Sequence, residues 1–576
     1  MSEATPHSNT RLPFRRCAFE TMTEALDYAA RGETGLNFYS ARGELVERLP
    51  YALLRDQAVD LARLLRACGL EPGDRVALLA DTNGDFMRAF FAAQYAGLVP
   101  VPLPLPQSFG RRDAYVDQIR RQIDGCTAVA AFAPEELLVY LREATAERAM
   151  RFVGTVADLA ARPAHSGPLP AVTGDTLCYL QFSSGSTRFP LGIAMTHRGV
   201  LHNIEAIATH GLAIVQGDRC TSWLPLYHDM GLVGFVLTPV GCQMSVDYLA
   251  TRDFARRPLL WLSLITRNRG TLSFSPTFGY ELCARRAETV SIEGLNLSSW
   301  RGAGIGGDMI RPSSMARFVE AFGPCGFRAD ALVPSYGLAE TGLAIGFAPL
   351  GSGVRTDPID LDALAEGRAE PAKSSGRMRD FVLCGVPLPG HALEVRDEDG
   401  DPLGPRHVGR IYTRGPSVMR CYFNAPEETR RVLGADGWLD TGDLGYWLGD
   451  QIVVTGRVKD LILVNGRNLW PQDLEWATEH VPQVRSGDAA AFSIDESDGE
   501  RVVVLVQCRL TEPEAREGLR RAVASVVNEI VGIDCAVVLV PPRSLPQTSS
   551  GKLSRTKARA RFLAGDYDAP PRYAAS

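Results

Sequence analysis

The chain has 576 residues, 45% of them hydrophobic and 22% charged, which is the composition of an ordinary globular protein. Its formal net charge of −6 gives no support for a nucleic-acid-binding protein, because such proteins normally carry a basic excess. The twelve cysteines form no C-x-x-C pair, and the polar N-terminus has no apolar run of signal-peptide length. These features predict a cytoplasmic protein with reduced thiols and no transmembrane segment.

The first third of the chain alternates helix-like and strand-like patterns. Residues 51–69 show helical periodicity and end at a glycine, and residues 74–80 form an apolar, strand-like run. A second helical pattern at residues 85–97 is followed by a strand-like run at residues 99–106, and the alternation continues further along the chain. Repeated β-α alternation predicts an α/β fold with parallel sheets flanked by helices.

Two later segments break this alternation. Residues 352–380 are polar and rich in charge, with few residues able to form a core, which indicates a surface insertion. From about Asp460 onward, short apolar runs and a long amphipathic helix at residues 513–531 predict a compact α+β unit.

A cluster of small hydroxyl residues, SSGST at residues 183–187, follows an apolar run. It departs from the phosphate-loop pattern G-x-x-x-x-G-K-[ST], because Pro190 lies five residues after Gly185 and no lysine follows. Two interpretations remain open: a flexible connection, or a neutral cradle in which backbone N–H groups and hydroxyls surround phosphate oxygens. The second interpretation needs a positive charge from elsewhere in the chain.

A second glycine run, RGAGIGGDMIRP, matches G-x-G-x-x-G at Gly302, Gly304 and Gly307. This spacing is found in dinucleotide-binding loops, which follow a strand and open a helix. The preceding residues 296–300, NLSSW, are interrupted by serines and predict a poor strand. We therefore do not expect a NAD-dependent oxidoreductase.

Four further motifs follow in order: SYGLAETG at residues 335–342, GWLDTGDLGYW at 437–447, VVTGRVKDLILVNGRNLWPQDLE at 453–475 and LPQTSSGKLSRTKAR at 545–559. Together with the Ser/Thr loop, this order resembles that of the adenylate-forming superfamily, which contains acyl-CoA synthetases, luciferases and peptide-synthetase adenylation domains. The resemblance covers nearly the whole chain. It implies a large N-terminal domain, residues 1–458, that includes a distorted β-barrel. It also implies a small, mobile α+β domain, residues 459–576, with its hinge at Lys459.

The closer resemblance is to the fatty acyl-AMP ligases. It rests on WLPLYHDMGLVG at residues 223–234, on the insertion at about 352–380, and on Arg188 and Leu191, where most acyl-CoA synthetases have glycine and lysine. The resemblance implies that ATP and a fatty acid react to form acyl-AMP and pyrophosphate, with Mg²⁺ as the cofactor. In that branch the insertion restricts the movement of the small domain and so disfavours transfer to free coenzyme A. The acyl group is then expected to reach the phosphopantetheine thiol of an acyl carrier protein, or of a polyketide or nonribosomal synthase carrier domain.

The chain has only four lysines, and the resemblance matches two of them, Lys552 and Lys459, to functional positions of the family. By resemblance, Lys552 is the catalytic residue that bridges the acyl carboxylate and the α-phosphate, and it supplies the charge that the Ser/Thr loop lacks. Lys459 matches the hinge. Glu340 resembles the Mg²⁺ ligand, a hard oxygen donor that suits this ion. Asp443 resembles the acceptor of both ribose hydroxyls, and Arg457 resembles a contact to ribose and phosphate.

The resemblance also implies which residues surround the nucleotide. Tyr336 and the backbone of residues 306–308 are expected to sandwich the adenine. The full set expected to bind ATP or AMP is Ser183, Ser184, Gly185, Ser186, Thr187, Gly306, Gly307, Asp308, Ser335, Tyr336, Gly337, Asp443, Arg457 and Lys552. The chain departs from the superfamily at Ala339, where many members have threonine, so one hydroxyl contact to phosphate is missing.

The acyl side of the site is less determined by sequence. His228, within YHDMG, has two open interpretations: a catalytic residue that lines the acyl channel near the carboxylate, or a packed structural histidine. Apolar residues 230–235 and the segment SPTFGYELC, residues 275–283, are expected to line the chain pocket.

Two alternative functions remain. A long-chain fatty acyl-CoA ligase would carry out the same first reaction, but the insertion and Arg188 favour the carrier-protein ligase. A catalytically inactive adenylate-binding protein would be expected to have lost motif residues, whereas Lys552, Glu340 and Asp443 are all present.

Overall fold

The computed structural model describes residues 4–7, 12–106, 112–163, 167–183, 190–373, 377–464, 467–496, 499–548 and 552–567. Up to residue 347, strands and helices alternate as the hydrophobic periodicity predicts. The strands are β1 Gly35–Tyr39, β2 Leu45–Pro50, β3 Arg75–Leu79, β4 Val99–Leu103, β5 Ala130–Phe132, β6 Phe152–Gly154, β7 Leu177–Phe182, β8 Gly192–Thr196, β9 Arg219–Ser222, β10 Ser245–Leu249, β11 Leu272–Ser275, β12 Gly302–Ile305, β13 Leu332–Tyr336 and β14 Gly346–Phe347. The α-helices are α1 Met22–Ala29, α2 Tyr51–Ala67, α3 Gly84–Tyr95, α4 Arg112–Cys126, α5 Leu138–Thr145, α6 Val156–Ala160, α7 His197–Ala206, α8 Asp229–Leu232, α9 Thr238–Gly241, α10 Thr251–Arg256, α11 Leu259–Asn268, α12 Thr277–Ala287 and α13 Pro312–Phe322.

The rest of the chain forms shorter strands and fewer helices. Its strands are β15 Thr356–Asp360, β16 Met378–Val382, β17 Val386–Pro387, β18 Ala392–Arg396, β19 Gly409–Arg414, β20 Cys421–Tyr422, β21 Leu439–Leu448, β22 Gln451–Arg457, β23 Ile462–Val464, β24 Arg467–Leu469, β25 Ala489–Glu496, β26 Gly499–Gln507 and β27 Ala536–Val540. Its α-helices are α14 Leu361–Ala365, α15 Pro426–Val432, α16 Pro471–Thr478, α17 Pro513–Val531 and α18 Arg555–Leu563.

One large sheet organises the first part of the molecule. Its strand order is β17-β14-β13-β12-β11-β9-β10-β1-β2. The strands from β13 to β1 run parallel, whereas β2, β14 and β17 pair antiparallel at the edges. A second sheet, β4-β3-β5-β6, is parallel throughout. The prediction of an α/β fold with parallel sheets is confirmed. The carboxyl ends of β12 and β13 meet at one edge, where ligands of such folds bind.

The expected distorted β-barrel is not observed, since no sheet closes on itself within the described residues. Strands β18-β19-β21-β22 form an open antiparallel sheet. The outer edge of β22 pairs with residues 383–385, through the Leu383–Val453 bridge, and not with β18. This pairing uses the backbone groups that closure would have needed.

The segment at 352–380 contributes more to the core than its composition indicates. Strands β15 and β16 pair antiparallel, with α14 between them. Ile359, Leu364 and Phe381 are buried and pack with Tyr446 of β21 and with Trp470, which precedes α16. The segment therefore buries more apolar side chains than its composition indicated, while its status as an insertion stays a prediction. Its few apolar side chains share one inner face, and their burial depends on partners far along the sequence.

The residues after 458 have the α+β content that the sequence predicts. Strand β25 pairs antiparallel with β26, which pairs parallel with β27, and α16 and α17 contribute buried side chains to their common core. Within this part, Arg555 contacts Glu475 and Asp460 through charged hydrogen bonds. A 3₁₀ turn at Val458–Asp460 joins it to β22. The domain boundary at Lys459 and the mobility of the small unit remain predictions.

Helix α7 begins at a buried histidine whose imidazole is held in its neutral form. His197 is fully buried, and its Nδ1 accepts a hydrogen bond from the Met22 N–H at 3.1 Å. The remaining proton therefore lies on Nε2, which has no hydrogen-bond partner among the described residues. Burial lowers the pKa of His197 to about 3, because the apolar surroundings penalise the imidazolium ion.

We expect His197 to make the protein less stable in mild acid. An unfolded chain protonates this imidazole near pH 6.5, whereas the folded chain does so only near pH 3. Between these values the unfolded state binds more protons, so stability is lost as the pH falls, by up to about 1.4 kcal/mol per unit. Urea unfolding at pH 7 and pH 5 tests this. Between pH 7 and pH 5, the free energy of unfolding of the His197→Asn variant should fall by about 2 kcal/mol less than that of the wild type. Equal losses in both proteins would contradict the assignment.

Candidate active site

The site begins where β12 and β13 end. Gly306 directly follows β12, and a Cβ placed on it would lie 2.8 Å from Oγ of Ser335 on β13. Gly307 has φ +77°, a left-handed conformation that favours glycine. The glycine run itself forms β12, and a Cβ at Gly304 would lie 1.9 Å from the ring of Phe274. These glycines therefore serve strand packing and a turn, which agrees with the rejection of a dinucleotide fingerprint.

A hydrogen-bonded carboxylate lies beside this edge. Tyr336 donates its hydroxyl to Oδ2 of Asp443 at 2.8 Å, and Nε of Arg457 donates to Oδ1 at 3.0 Å. Asp443 and Arg457 are register partners on β21 and β22, so the antiparallel pairing fixes their contact. The Asp443 carboxylate raises the pKa of the Arg457 guanidinium, and burial raises that of Tyr336. Three predicted nucleotide ligands therefore form one cluster with a fixed acceptor at its centre.

Glu340 lies on a 3₁₀ turn, Ala339–Thr341, that follows β13. Its Oε1 accepts a hydrogen bond from the Tyr422 hydroxyl at 2.8 Å, and its backbone oxygen accepts one from the N–H of Met419. Burial raises the pKa of the Glu340 carboxyl above its ordinary value. Within the described ranges, no group of three or more His, Cys, Asp or Glu could hold a metal by itself. A single carboxylate fits Mg²⁺, which is commonly held by one or two carboxylates together with substrate phosphates.

Lys552 reaches the same edge from the C-terminal part of the chain. Its Nζ lies 3.6 Å from the position that a Cβ on Gly307 would take. His228 and Asp229 lie nearby, with Nδ1 of the histidine 2.5 Å from Oδ1 of the aspartate. Burial would raise the pKa of Asp229, but His228 and the ammonium of Lys552 outweigh it, so this pKa is lowered. The cluster thus combines a buried carboxylate with the lysine that the sequence motifs single out.

An apolar cavity of about 690 Å³, measured to its open mouth, extends from this cluster into the protein. Its mouth is formed by Asp229, residues 306–307 and residues 335–337. Its walls include Phe274 of β11 and residues from two π-helical turns, Ile207–Gly211 and Val233–Leu237. π-Helical turns are rare and frequently occur at functional sites.

The structure brings most of the predicted site residues to one place. Ser183 lies at the end of the β7–β8 pair, where its N–H donates to Leu191 O at 2.9 Å. Ser184, Gly185, Ser186 and Thr187 lie outside the described residues. Asp308 follows Gly307, and its charge helps to raise the pKa of Arg555. Lys459 lies apart from the cavity, on the turn after β22.

The predicted pocket lining was right for one segment and wrong for the other. Met230, Gly234 and Phe235 line the cavity, as expected for residues 230–235. No residue of 275–283 does so, although Phe274 immediately before it does. The reason is that α12 turns Tyr280 into an aromatic core with Trp261 and Trp300, away from the cavity. His228 directly precedes α8 beside the mouth and makes no side-chain capping hydrogen bond. It is not itself a lining residue, so its two interpretations remain open.

Two residues of the site were not identified from the sequence. Asp229 lines the cavity mouth and pairs with His228, and the motif YHDMG carries the only signal for it. Tyr422 contacts Glu340 from β20, 82 residues further along the chain. No local pattern marks this tyrosine, because its role depends on how β20 pairs with β8.

Comparisons with known proteins agree with this geometry. The family model described as AMP-binding enzyme matches residues 31–423. A protein of Caulobacter vibrioides (strain NA1000 / CB15N), provisionally named an acyl-CoA synthetase, is 53% identical over 98% of each chain. The medium-chain-fatty-acid–[acyl-carrier-protein] ligase JamA of Moorena producens (strain JHB) is 31% identical over 96% of each chain.

A solved structure from a study of fatty acyl-adenylate ligases from E. coli and L. pneumophila has a TM-score of 0.92 and 43% identity. The match covers 97% of this chain and 100% of the other. In the described part of the chain, no helix has both the length and the apolar character needed to cross a bilayer. The chain belongs to the AMP-binding enzyme family and is an adenylate-forming ligase of the fatty acyl-AMP ligase type.

Proposed function

We propose that this protein joins a fatty acid to the α-phosphate of ATP and then passes the acyl group to the phosphopantetheine thiol of a carrier protein. In the first reaction a carboxylate oxygen bonds to the α-phosphorus, and the bond from that phosphorus to pyrophosphate breaks. The observation that carries this proposal is the meeting of Lys552, Gly307 and Asp229 at the mouth of a deep apolar cavity. An acyl chain can be buried there while its carboxylate faces the lysine.

Positive charge is the main requirement of the first reaction, because two anions must approach each other. Lys552 would neutralise both the carboxylate and the α-phosphate as the new bond forms. Asp229, held ionised by His228 and Lys552, would orient that ammonium toward the cavity mouth. His228 would therefore act by positioning the aspartate.

The nucleotide would lie along the ends of β12 and β13. Asp443 would accept the ribose hydroxyls, with Tyr336 and Arg457 fixing its two oxygens. Ser183 to Thr187 and the backbone of residues 306–308 would contact phosphate and adenine, together with Ser335 and Gly337. Glu340 would hold Mg²⁺, which would relieve the negative charge of the ATP phosphates.

The choice of acceptor is supported by contacts of the insertion. Arg379 of β16 contacts Asp473 of α16 at 2.5 Å, and its guanidinium lies 4.6 Å from the ring centre of Trp476. Trp470 packs in the same apolar cluster as Ile359 and Leu364 of the insertion. These contacts connect the insertion to the C-terminal unit and would resist its rotation. JamA, which is named for transfer to acyl carrier protein, favours the same acceptor.

A second candidate, an acyl-CoA ligase, is favoured by the name of the Caulobacter vibrioides relative. Both candidates share the first reaction and differ only in the acceptor. The first test is therefore the fatty-acid-dependent release of pyrophosphate from ATP and Mg²⁺, measured over acids of increasing length. Release with at least one acid is expected. If no acid stimulates release, the protein is an inactive adenylate-binding protein and both candidates are wrong.

Lys459 provides a separate test of the second reaction. It lies on the exposed turn between β22 and β23, where a hinge must absorb a backbone rotation. Proline fixes φ near −65° and so restricts that rotation. Lys459→Pro should slow acyl transfer by about tenfold more than it slows adenylation. Lys459→Ala, which leaves the backbone free, is the control. Equal losses in both half-reactions of the proline variant would argue against a hinge here.

A further inference from the structure

The cavity has a definite depth, set by the strands it follows. Its mouth lies at the carboxyl ends of β12 and β13, at Gly306 and Tyr336. Its inner end is lined by Leu272, the first residue of β11, and by its register partner Cys220, the second residue of β9. Leu272 also pairs with Gly302, four residues before Gly306. At about 3.3 Å per residue, the cavity therefore runs for about 13 Å along the sheet.

This depth corresponds to a chain of moderate length. A fully extended alkyl chain with C–C bonds of about 1.5 Å advances by about 1.25 Å per carbon. About ten to twelve carbons, counting the carboxyl carbon at the mouth, would fill about 13 Å. A longer chain would have to bend or displace the inner wall.

Met244 also lines the inner part of this cavity, and it borders a second cavity. The second cavity is small and partly open to solvent; it is lined by Leu12 and Phe14 of the N-terminal segment and by polar residues that include Asp218 and Gln243. Met244 is the residue that lines both cavities, and its side chain is buried. Its backbone is fixed, since its N–H donates to Pro239 O at 2.9 Å and its oxygen accepts from the Tyr51 hydroxyl at 2.7 Å. Its flexible, unbranched side chain is therefore the part that can move at the boundary of the two cavities.

We propose that Met244 sets the upper limit of acyl chain length and makes this protein selective for medium-chain acids of about ten to twelve carbons. This inference rests on the proposed function, because it assumes that the cavity holds the acyl chain. Shortening Met244 would join the cavities and extend the available path toward Phe14.

The test compares the rate of acyl-AMP formation for straight-chain acids of eight to sixteen carbons in the wild type, Met244→Ala and Met244→Val. The wild type should prefer acids of about ten to twelve carbons. Each further methylene of the acid that becomes buried is expected to raise the specificity constant for that acid by about fourfold. Met244→Ala should therefore raise the ratio of the sixteen-carbon to the ten-carbon rate by at least about tenfold. Met244→Val, a milder change if the alanine variant folds poorly, should shift the preference in the same direction.

Met315→Ala is the matched control, because it truncates a buried methionine of α13 that lines neither cavity. Its chain-length profile should equal that of the wild type. If acyl-AMP forms but both Met244 variants keep the wild-type profile, Met244 is not the limit, and the inference fails while the proposed function stands. If no acid yields acyl-AMP, the proposed function fails and this inference fails with it.

Discussion

Replacing Lys552 by alanine is expected to slow acyl-AMP formation by about 10²–10³-fold, the usual effect of removing one preorganised donor to developing charge. Lys552 places its ammonium beside Gly307 at the cavity mouth, within the electrostatic reach of Asp229. Of the three other lysines, Lys373 lies in the insertion, Lys459 on the proposed hinge and Lys557 on α18. The measurement is the single-turnover rate of acyl-AMP formation with saturating ATP and fatty acid.

Lys557→Ala is the control for this prediction. Lys557 is exposed on α18, five residues after Lys552, and its removal changes the net charge by the same amount. We expect it to retain the wild-type rate. A Lys552→Ala variant that forms acyl-AMP as fast as Lys557→Ala would show that the lysine has no part in the first reaction.

Replacing Arg379 by alanine is expected to raise acyl transfer to coenzyme A by about tenfold or more, because it breaks the contact between insertion and C-terminal unit. Both Arg379 and Asp473 are buried, and burial lowers the pKa of the guanidinium and raises that of the carboxyl. Removing one member of such a pair leaves a buried, uncompensated charge and costs about 3–5 kcal/mol. The freed unit should rotate more readily. Adenylation should slow at the same time, because Lys552 is then held less firmly.

Two further variants make this prediction specific. Arg368→Ala removes an exposed arginine of the same insertion, whose ion pairs with Glu366 and Glu370 stay within the insertion. It should leave the products unchanged. The double variant Arg379→Met/Asp473→Leu replaces the buried pair with apolar side chains, which is often neutral or stabilising, and should restore discrimination against coenzyme A. Unchanged acyl-CoA formation in Arg379→Ala would mean that this contact does not restrain the unit.

Much of the fold could be predicted because its signals are local. The helix at residues 51–67 and the strands that follow it have periodicities that depend only on near neighbours. The contribution of the insertion to the core could not be predicted from local periodicity. Ile359, Leu364 and Phe381 are few and widely spaced, and they become a core only against Tyr446 and Trp470. Sheet closure was likewise unpredictable, because the edge pairing of β22 with residues 383–385 is a long-range choice.

Some residues of the site could likewise be predicted from the sequence, and others could not. Motif residues such as Asp443 and Arg457 could be named from the sequence, and the register of β21 and β22 explains why the two appear together. Tyr422 and Met244 could not be identified. A tyrosine on a short strand and a methionine in an apolar run look like ordinary core residues. Their importance comes from Glu340 and from two cavities that the folded chain brings next to them.

We expect this ligase to form a fatty acyl-adenylate and not to pass the acyl group to free coenzyme A. The most direct measurement is a product analysis with ATP, Mg²⁺ and a twelve-carbon fatty acid, with and without coenzyme A. Acyl-AMP should accumulate equally in both reactions, and acyl transfer should appear only when a phosphopantetheine-bearing carrier protein is added. Acyl-CoA formed at a rate comparable to that of acyl-AMP would contradict this expectation and would place the protein among the acyl-CoA ligases.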